Sequence, residues 1–342
     1  MRFRTFGRSG LRVSELFLGT MTFGENWGWG APIEECRTLF AAYAEAGGNV
    51  IDTANQYTDG ESERIVGELL GADRHRFVVS TKYTLSTDGT DPNASGNHRK
   101  SLLRSLEQSL TRLRTDYIDL LWVHIWDPST PMEETMRALD DAVRAGKVRY
   151  VGISDTPAWV VSRANTLADW RGWSPFIGVQ LPYSLVQREI ERELRPMADA
   201  LDLSVAAWSP LAGGVLSGKF TRTMSDAPTR VDRKDIGERD LRIAREVDAV
   251  ADELGATSSQ VALAWTMARR PGSRPSVHPI VGARRLDQLI DNLAATDLRL
   301  PEEALRRLDD VSAIPRGFPV DFIESTTEFV YGPVVERFDP RR

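Results

Sequence analysis

Short apolar runs recur along the chain. Each is followed by a polar turn and then by a stretch in which apolar residues return every third or fourth position. The runs fall at 16–18, 50–51, 77–81, 118–123, 150–153, 176–179, 203–207 and 276–281, and their brevity and β-branched content predict eight strands. The intervening stretches, near 33–46, 62–70, 98–113, 131–145, 157–170, 188–201, 239–270 and 286–295, carry helical spacing. Leu102, Leu103, Leu106, Leu110 and Leu113 show it most clearly. The punctuation agrees. Thr130 is expected to cap a helix with Pro131 at its first position and Glu133 as the box partner, and "DTP" at 155–157 repeats the device. Gly47, Gly146 and Gly255 fall just past helices, where a left-handed residue is wanted. Strand and helix alternating eight times predict an α/β fold, a (β/α)₈ TIM barrel, with a doubly wound sheet as the structural alternative. The first residues, "RFRTFGRSGLRV", predict a hairpin closing the barrel floor. The stretch 218–238 reads as a long excursion loop, and the C-terminal "FPVDFIESTTEFVYGPVVERFDPRR" continues past the last predicted helix.

Composition narrows the class. At 342 residues the chain suits one α/β barrel domain spanning 1–342, with 41% hydrophobic residues to fill a core. Forty-nine acids against 43 bases give a net charge of −6, which gives no support to nucleic-acid binding. A single cysteine, Cys36, allows no intramolecular disulfide and fits a reducing compartment. No apolar stretch has the length of a signal peptide or a membrane span, so a cytoplasmic protein without membrane contact is expected. The C-terminal segment is expected to fold over the barrel mouth or to form a subunit contact in a homo-oligomer.

In a barrel of this kind chemistry gathers where the strands end. The second predicted strand ends on Asp52, with Tyr57 in the loop beyond it. The third ends on Lys82, the fourth on His124, the fifth on Ser154, the sixth on Gln180 and the seventh on Trp208. Taken singly, each has an ordinary explanation: a strand-end acid caps a turn, a lysine solvates a loop, a lone histidine satisfies a core. Taken together, Asp52, Tyr57, Lys82 and His124 stand at the tops of three successive strands and are expected to converge. An unperturbed phenol titrates near 10. A neighbouring ammonium favours the phenolate, and a carboxylate holds that ammonium charged. His124 can orient a carbonyl oxygen. A carbonyl protonated on oxygen needs a nucleophile on carbon, and hydride from a reduced cofactor is the natural candidate, since no Cys, Ser–His or zinc-type arrangement is evident.

The motifs that carry these residues resemble the aldo-keto reductase superfamily over nearly the whole chain. They are "LGTMTFG" (18–24), "IDTANQY" (51–57), "STK" (80–82), "DYIDLLWVH" (116–124), "GKVRYVGIS" (146–154), "VQLPYSL" (179–185), "AWSPLAGGVLSGK" (207–219) and "PIVGARRLDQLIDN" (279–292). The resemblance implies a (β/α)₈ barrel that reduces small-molecule carbonyl substrates with NADP(H). It also implies Tyr57 as general acid/base, assisted by Asp52, Lys82 and His124. Gly19, Thr20, Met21 and Asp52 match positions near the nicotinamide-side ribose, and Ser154 and Gln180 match those that hold the carboxamide. Trp208 matches the ring stacked on the nicotinamide. Ser209, Pro210, Leu211, Ala212, Gly213 and Gly214 match the loop over the pyrophosphate, with Lys219 and Arg230 as its basic partners. Gly282, Arg284, Gln288, Asp291 and Asn292 match the adenosine end, where Arg284 stands for the 2′-phosphate that separates NADP from NAD. As an ordinary alternative, Arg284 and Arg285 are a solvated helix face. Two positions depart from the pattern. Asp155 replaces the usual Asn or Arg and is expected to point away and help cap the next helix. Asp291 replaces a longer Glu.

The run from "NHRKSLLRSLEQSL" to "DPSTPMEETMRAL" also resembles the β subunits of voltage-gated potassium channels, which bind NADP and act mainly as regulatory partners. Those typically carry Asn where this chain has His124. A third reading is a cofactor-using barrel with no net redox. Trp27 and Trp29 in the loop after the first strand, and Trp126 after His124, are candidates for an aromatic wall of the substrate cleft. They suggest sugars or aromatic aldehydes or ketones. Trp170 and Trp265 fall on helices and are expected in the core.

Overall fold

The computed structural model describes residues 1–222, 231–268 and 276–337. Two strands, β1 (Phe3–Thr5) and β2 (Arg12–Ser14), pair antiparallel as a hairpin. Eight more follow: β3 (Phe17–Gly19), β4 (Val50–Asp52), β5 (Val78–Tyr83), β6 (Ile118–Val123), β7 (Val148–Ser154), β8 (Phe176–Pro182), β9 (Ser204–Trp208) and β10 (Val277–Val281). They are parallel and close on themselves in chain order, β10 beside β3, as the strand–helix alternation predicts. Their burial on both faces explains why they read as continuous apolar runs rather than alternating ones.

Helices α1 (Ile33–Glu45), α2 (Glu61–Leu70), α3 (Arg99–Leu113), α4 (Met132–Arg144), α5 (Ala158–Arg171), α6 (Leu194–Leu201), α7 (Glu238–Leu254), α8 (Ser258–Met267) and α9 (Leu286–Ala294) surround the barrel. After them come α10 (Glu302–Val311), α11 (Val320–Ser325) and α12 (Thr327–Tyr331). The helical stretch anticipated at 239–270 is two helices. Gly255, at φ +62°, ends α7, and Thr257 opens α8 with a capping box to Gln260. Residues 269–270 lie outside the described residues. The stretch 188–201 divides similarly, into a 3₁₀ turn at Glu189–Glu191 and the shorter α6. Part of the excursion predicted at 218–238 is described and holds another short turn, Arg233–Asp235; residues 223–230 are not described.

Two cap assignments are corrected. Pro131, not Thr130, is the N-cap of α4, and Pro157 is that of α5, neither with a side-chain cap. Thr130 instead donates to Asp127 at 2.5 Å and Thr156 to the Ser154 carbonyl at 2.7 Å. Each hydroxyl donates to an acceptor in its own loop instead of accepting from a helical N–H. Trp170 is also corrected: it is 87% exposed, whereas Trp265 is buried as expected and donates to Asp309 at 2.9 Å. Trp170 lies on the solvent-facing side of α5. The apolar side chains of the C-terminal segment, Phe318, Phe322, Ile323 and Phe329, are exposed; residues 338–342 lie outside the described residues.

The hairpin closes the barrel floor, as predicted. Phe6 at its end inserts among Phe17, Trp122 and His278, with ring centroids 5.5 to 6.2 Å away. Two strand glycines make room. A Cβ on Gly178 would meet the Phe6 ring at 2.4 Å, and one on Gly152 would meet the Trp122 indole at 2.3 Å. The floor also buries a histidine. His278 is 0% exposed; its Nδ1 donates to the Ser14 carbonyl at 3.0 Å, which leaves Nε2 to accept from the Ser276 hydroxyl at 2.6 Å. Burial, with a smaller contribution from the charge of Arg4, pushes its pKa down to about 3. The unfolded chain therefore takes up this proton first, near its ordinary value of 6.5. The stabilisation is complete above that pH and is lost as the pH falls toward 3, by on the order of several kcal/mol. Melting temperature should fall between pH 6.5 and 4, and more steeply in the native chain than in His278→Asn. Parallel curves for the two proteins would contradict this.

Candidate active site

The strand tops bring Asp52, Tyr57 and Lys82 into direct contact. Asp52 and Lys82 end or nearly end adjacent strands, β4 and β5, whose register sets Asp52 opposite Ser80. Side chains alternate along a strand, so Ser80 and Lys82 share one face and both reach Asp52. Lys82 Nζ donates to Asp52 Oδ2 at 2.6 Å, to the Thr53 carbonyl at 2.7 Å and to the Tyr57 hydroxyl at 3.2 Å. The other carboxylate oxygen accepts from the Ser80 hydroxyl at 2.7 Å and from the Gln180 amide at 3.0 Å. Asp52 and Lys82 are thus a buried ion pair with hydrogen bonds filled on both sides, which is the condition for such a pair to persist out of water. Burial by itself would push the Lys82 ammonium down. The charges of Asp52 and Tyr57, and their hydrogen bonds, outweigh it, and the net direction is up. Lys82 is held as a cation.

Tyr57 is aimed by its own loop. It begins a tight 3₁₀ turn, Tyr57–Gly60, in which Thr58 and Asp59 take left-handed φ of +47° and +56°. Thr58 is anchored there: its hydroxyl donates to the Phe23 carbonyl at 2.9 Å and accepts from the Ser62 N–H at 3.0 Å. The turn thus folds Tyr57 back over the rim, with Lys82 Nζ 4.7 Å from its ring centroid. His124 stands edge-on to that ring at 6.1 Å. Burial first, and the Lys82 charge second, push its pKa down to about 3, so it is neutral over the ordinary pH range. Its Nδ1 is enclosed and has no partner among the described residues, a polar atom left over for a ligand.

The remaining predicted positions lie around this centre. Thr20 is buried and its hydroxyl donates to the Asp52 carbonyl at 3.1 Å. Gly19, beside Asp52 in register, admits no Cβ, which would meet Ile280 at 2.8 Å. Met21 follows, half-buried. Ser154 and Gln180 are side by side, the serine hydroxyl donating to the glutamine carbonyl at 2.8 Å. Past Trp208 the chain turns through a run of left-handed residues: Ser209 at φ +53°, Ala212 at +50°, Gly213 at +65° and Gly214 at +99°. Pro210 and Leu211 complete this loop, inside which the Ala212 and Gly214 N–H groups donate to the Ser209 and Leu211 carbonyls at 2.8 and 2.9 Å. Lys219 beyond it is exposed; Arg230 lies outside the described residues.

At the far end Gly282 and Arg284 are exposed and Asn292 is buried. The helix there starts at Leu286, and its first N–H is taken by Glu35 of α1 at 3.0 Å. Gln288 accepts from the Arg284 N–H at 3.2 Å, and Arg285 pairs with Asp287 at 2.7 Å. The Asp291 carboxylate is engaged by Thr257 at 3.0 Å and Gln260 at 2.8 Å, at the N-terminus of α8.

Aromatic side chains line the mouth. Trp27 is edge-on to Tyr57 at 6.4 Å and 5.9 Å from Trp29, and its indole donates to Asp59 at 3.4 Å. Trp126 meets Trp159 at 5.9 Å. Trp159 escaped the sequence reading, although its place right after the helix-opening proline put it at the rim. Ser80 was missed as well, although period-two alternation from Lys82 points to it. Asp155 departs from expectation. It does not cap α5; it accepts the Trp208 indole N–H at 3.2 Å, from a left-handed backbone at φ +40°. The indole is the stronger draw because α5 begins beyond it at Ala158 with Pro157 already in place. No group of metal-ligating side chains occurs among the described residues, and no described helix is long and apolar enough to cross a membrane.

The profile of the "Aldo/keto reductase family" matches residues 15–313. Norsolorinic acid reductase of Aspergillus flavus is 38% identical over 330 residues, covering 93% of this chain and 82% of its own. The aryl-alcohol dehydrogenase [NADP(+)] of Phanerodontia chrysosporium is 37% identical over 336 residues, covering 91% and 85%. The aldo-keto reductase ausK of Emericella nidulans is 36% identical over 360 residues, covering 97% and 87%.

Proposed function

The chain belongs to the aldo/keto reductase family, and from that premise we propose that it is an NADP(H)-dependent oxidoreductase that reduces aromatic aldehydes or ketones to alcohols. The observation that carries this reading is the Lys82 ammonium, buried between Asp52 and the Tyr57 hydroxyl. A phenol 3.2 Å from a fixed cation can release a proton to a carbonyl oxygen because the phenolate left behind is neutralised at once. Asp52 keeps the cation in place. His124, neutral and with an unspent nitrogen, orients the carbonyl oxygen beside Tyr57. Trp27, Trp29 and Trp126 give flat apolar faces to an aryl group and exclude water around the reacting carbon. The name of one relative, an aryl-alcohol dehydrogenase, points to the same substrate class.

The cofactor, when bound, supplies the hydride that the carbonyl carbon receives. The residues present fit it. Gln180 offers an amide that already meets Asp52, Ser154 a hydroxyl next to it, and Trp208 a stacking face. The glycines of the left-handed loop 209–214 would let its backbone approach a pyrophosphate closely. Gly282, Arg284, Gln288, Asp291 and Asn292 would take the adenosine end, with Arg284 on the 2′-phosphate. The Glu35 carboxylate at the start of α9 makes that charge-assisted contact, rather than the helix end, the source of NADP preference.

A screen of NADPH oxidation across aromatic aldehydes, aryl ketones, α-dicarbonyls and keto-sugars tests the function; turnover confined to the sugars would remove the aromatic assignment. Arg284→Ala should weaken NADPH binding about tenfold, roughly 1.4 kcal/mol, and leave NADH binding unchanged. Tryptophan fluorescence quenching measures both, and equal losses would remove the role given to Arg284.

A further inference from the structure

Asp155 is an acid at a place where the site already has its charges balanced. Asp52 and Lys82 are an anion and a cation 2.6 Å apart, so their fields largely cancel a few ångströms away. Asp155 has no such counterion among the described residues. Its carboxylate is half-buried, is held by the Trp208 indole at 3.2 Å, and feels the charge of Lys82 without pairing with it. It is thus a lone negative charge, fixed in direction, on the strand-end rim next to Ser154 and the ring of Trp208. Burial pushes its carboxyl pKa up, against the lowering effect of the Trp208 indole and the neighbouring Ser154 hydroxyl. A half-buried side chain in a left-handed backbone conformation, held by the Trp208 indole, is a positioned group rather than a solvated loop residue.

We propose that Asp155 sets the redox bias of the bound nicotinamide, favouring the oxidised ring over the reduced one and so pushing hydride toward the carbonyl. This rests on the cofactor reading given above. When hydride leaves the dihydronicotinamide, a C–H bond breaks there and a new one forms at the carbonyl carbon. The proton for the oxygen comes from Tyr57, and the nicotinamide ring changes from neutral to cationic. A carboxylate fixed against Trp208 would favour the cationic ring over the neutral one, were the ring stacked there. The contact with Trp208 adds to this in the same direction: an indole N–H that donates to an anion has a more electron-rich face, which attracts a cationic ring more than a neutral one. Asp155 is therefore a positioning and tuning residue, acting through charge and through Trp208.

Asp155→Asn separates charge from geometry. Asparagine retains the oxygen that accepts the indole hydrogen and tolerates the left-handed backbone better than most residues, so the variant should fold and hold Trp208. Dissociation constants for NADP⁺ and for NADPH, measured separately by fluorescence at pH 8, give the readout without turnover. The ratio of the NADP⁺ constant to the NADPH constant should rise about tenfold in the variant, mostly through weaker NADP⁺ binding. An unchanged ratio, with both forms still bound, overturns the tuning role and leaves the cofactor reading intact. A native protein that binds neither form overturns both. Asp155→Ala, which removes the indole's acceptor as well, should raise the ratio at least as far; a smaller rise than in the asparagine variant counts against the proposal.

Discussion

Tyr57→Phe is expected to lose carbonyl reduction by two or more orders of magnitude, on the order of the general-acid contribution, while binding NADPH as the native protein does. The ring that meets Trp27 and His124 is retained, so the mouth of the site keeps its shape. Lys82 keeps Asp52 and the Thr53 carbonyl as acceptors, so the ion pair beneath is not disturbed. Only the hydroxyl is removed, and with it the proton for the developing alkoxide. No neighbour can take its place. His124 has its pKa pushed down to about 3 and is not an imidazolium at neutral pH, and Lys82 is held as a cation by Asp52 and the Thr53 carbonyl. Single-turnover measurements with saturating NADPH and an aromatic aldehyde separate binding from chemistry. Turnover within a few-fold of native would end the assignment of Tyr57 as the acid.

The same residues show what a sequence can and cannot disclose. The eight strands and their tops were legible because a parallel barrel buries both faces of each strand and then stops abruptly at a polar residue: Asp52, His124 just past β6, Gln180 within β8. The convergence of Asp52 and Lys82 followed from topology alone, since successive strands of a barrel are neighbours. The fate of side chains that choose between local acceptors was not legible. Thr130, Thr156 and Asp155 sit where a helix cap is statistically favoured, yet each bonds elsewhere, because the loop geometry offers a nearer partner. Trp170 was misjudged for a related reason. Helical spacing tells which residues share a face, but which face the next helix covers depends on the packing of α5 against its neighbours. The stretch 279–292 was legible only as a resemblance to an adenosine-binding motif. The Glu35 carboxylate that caps α9 comes from more than two hundred residues earlier, and nothing local announces it.

The ion pair beneath Tyr57 is the second place where a single substitution should have a large effect, and here stability changes as well as rate. Lys82→Met retains the length of the side chain and removes its charge. Asp52 is then a buried carboxylate with the Ser80 hydroxyl and the Gln180 amide as its remaining donors, and an unpaired buried charge costs about 3–5 kcal/mol. The variant should unfold at a markedly lower denaturant concentration. Its activity should fall at least as far as that of Tyr57→Phe, because the phenolate is no longer neutralised. The double substitution Lys82→Met with Asp52→Asn removes both charges together. It should recover much of the lost stability, since an amide can still meet Ser80 and Gln180, but none of the activity. Urea unfolding of the two single variants and the double variant closes the cycle. If the losses simply add, the two charges do not act as a pair; if activity returns with stability, Lys82 serves only the fold.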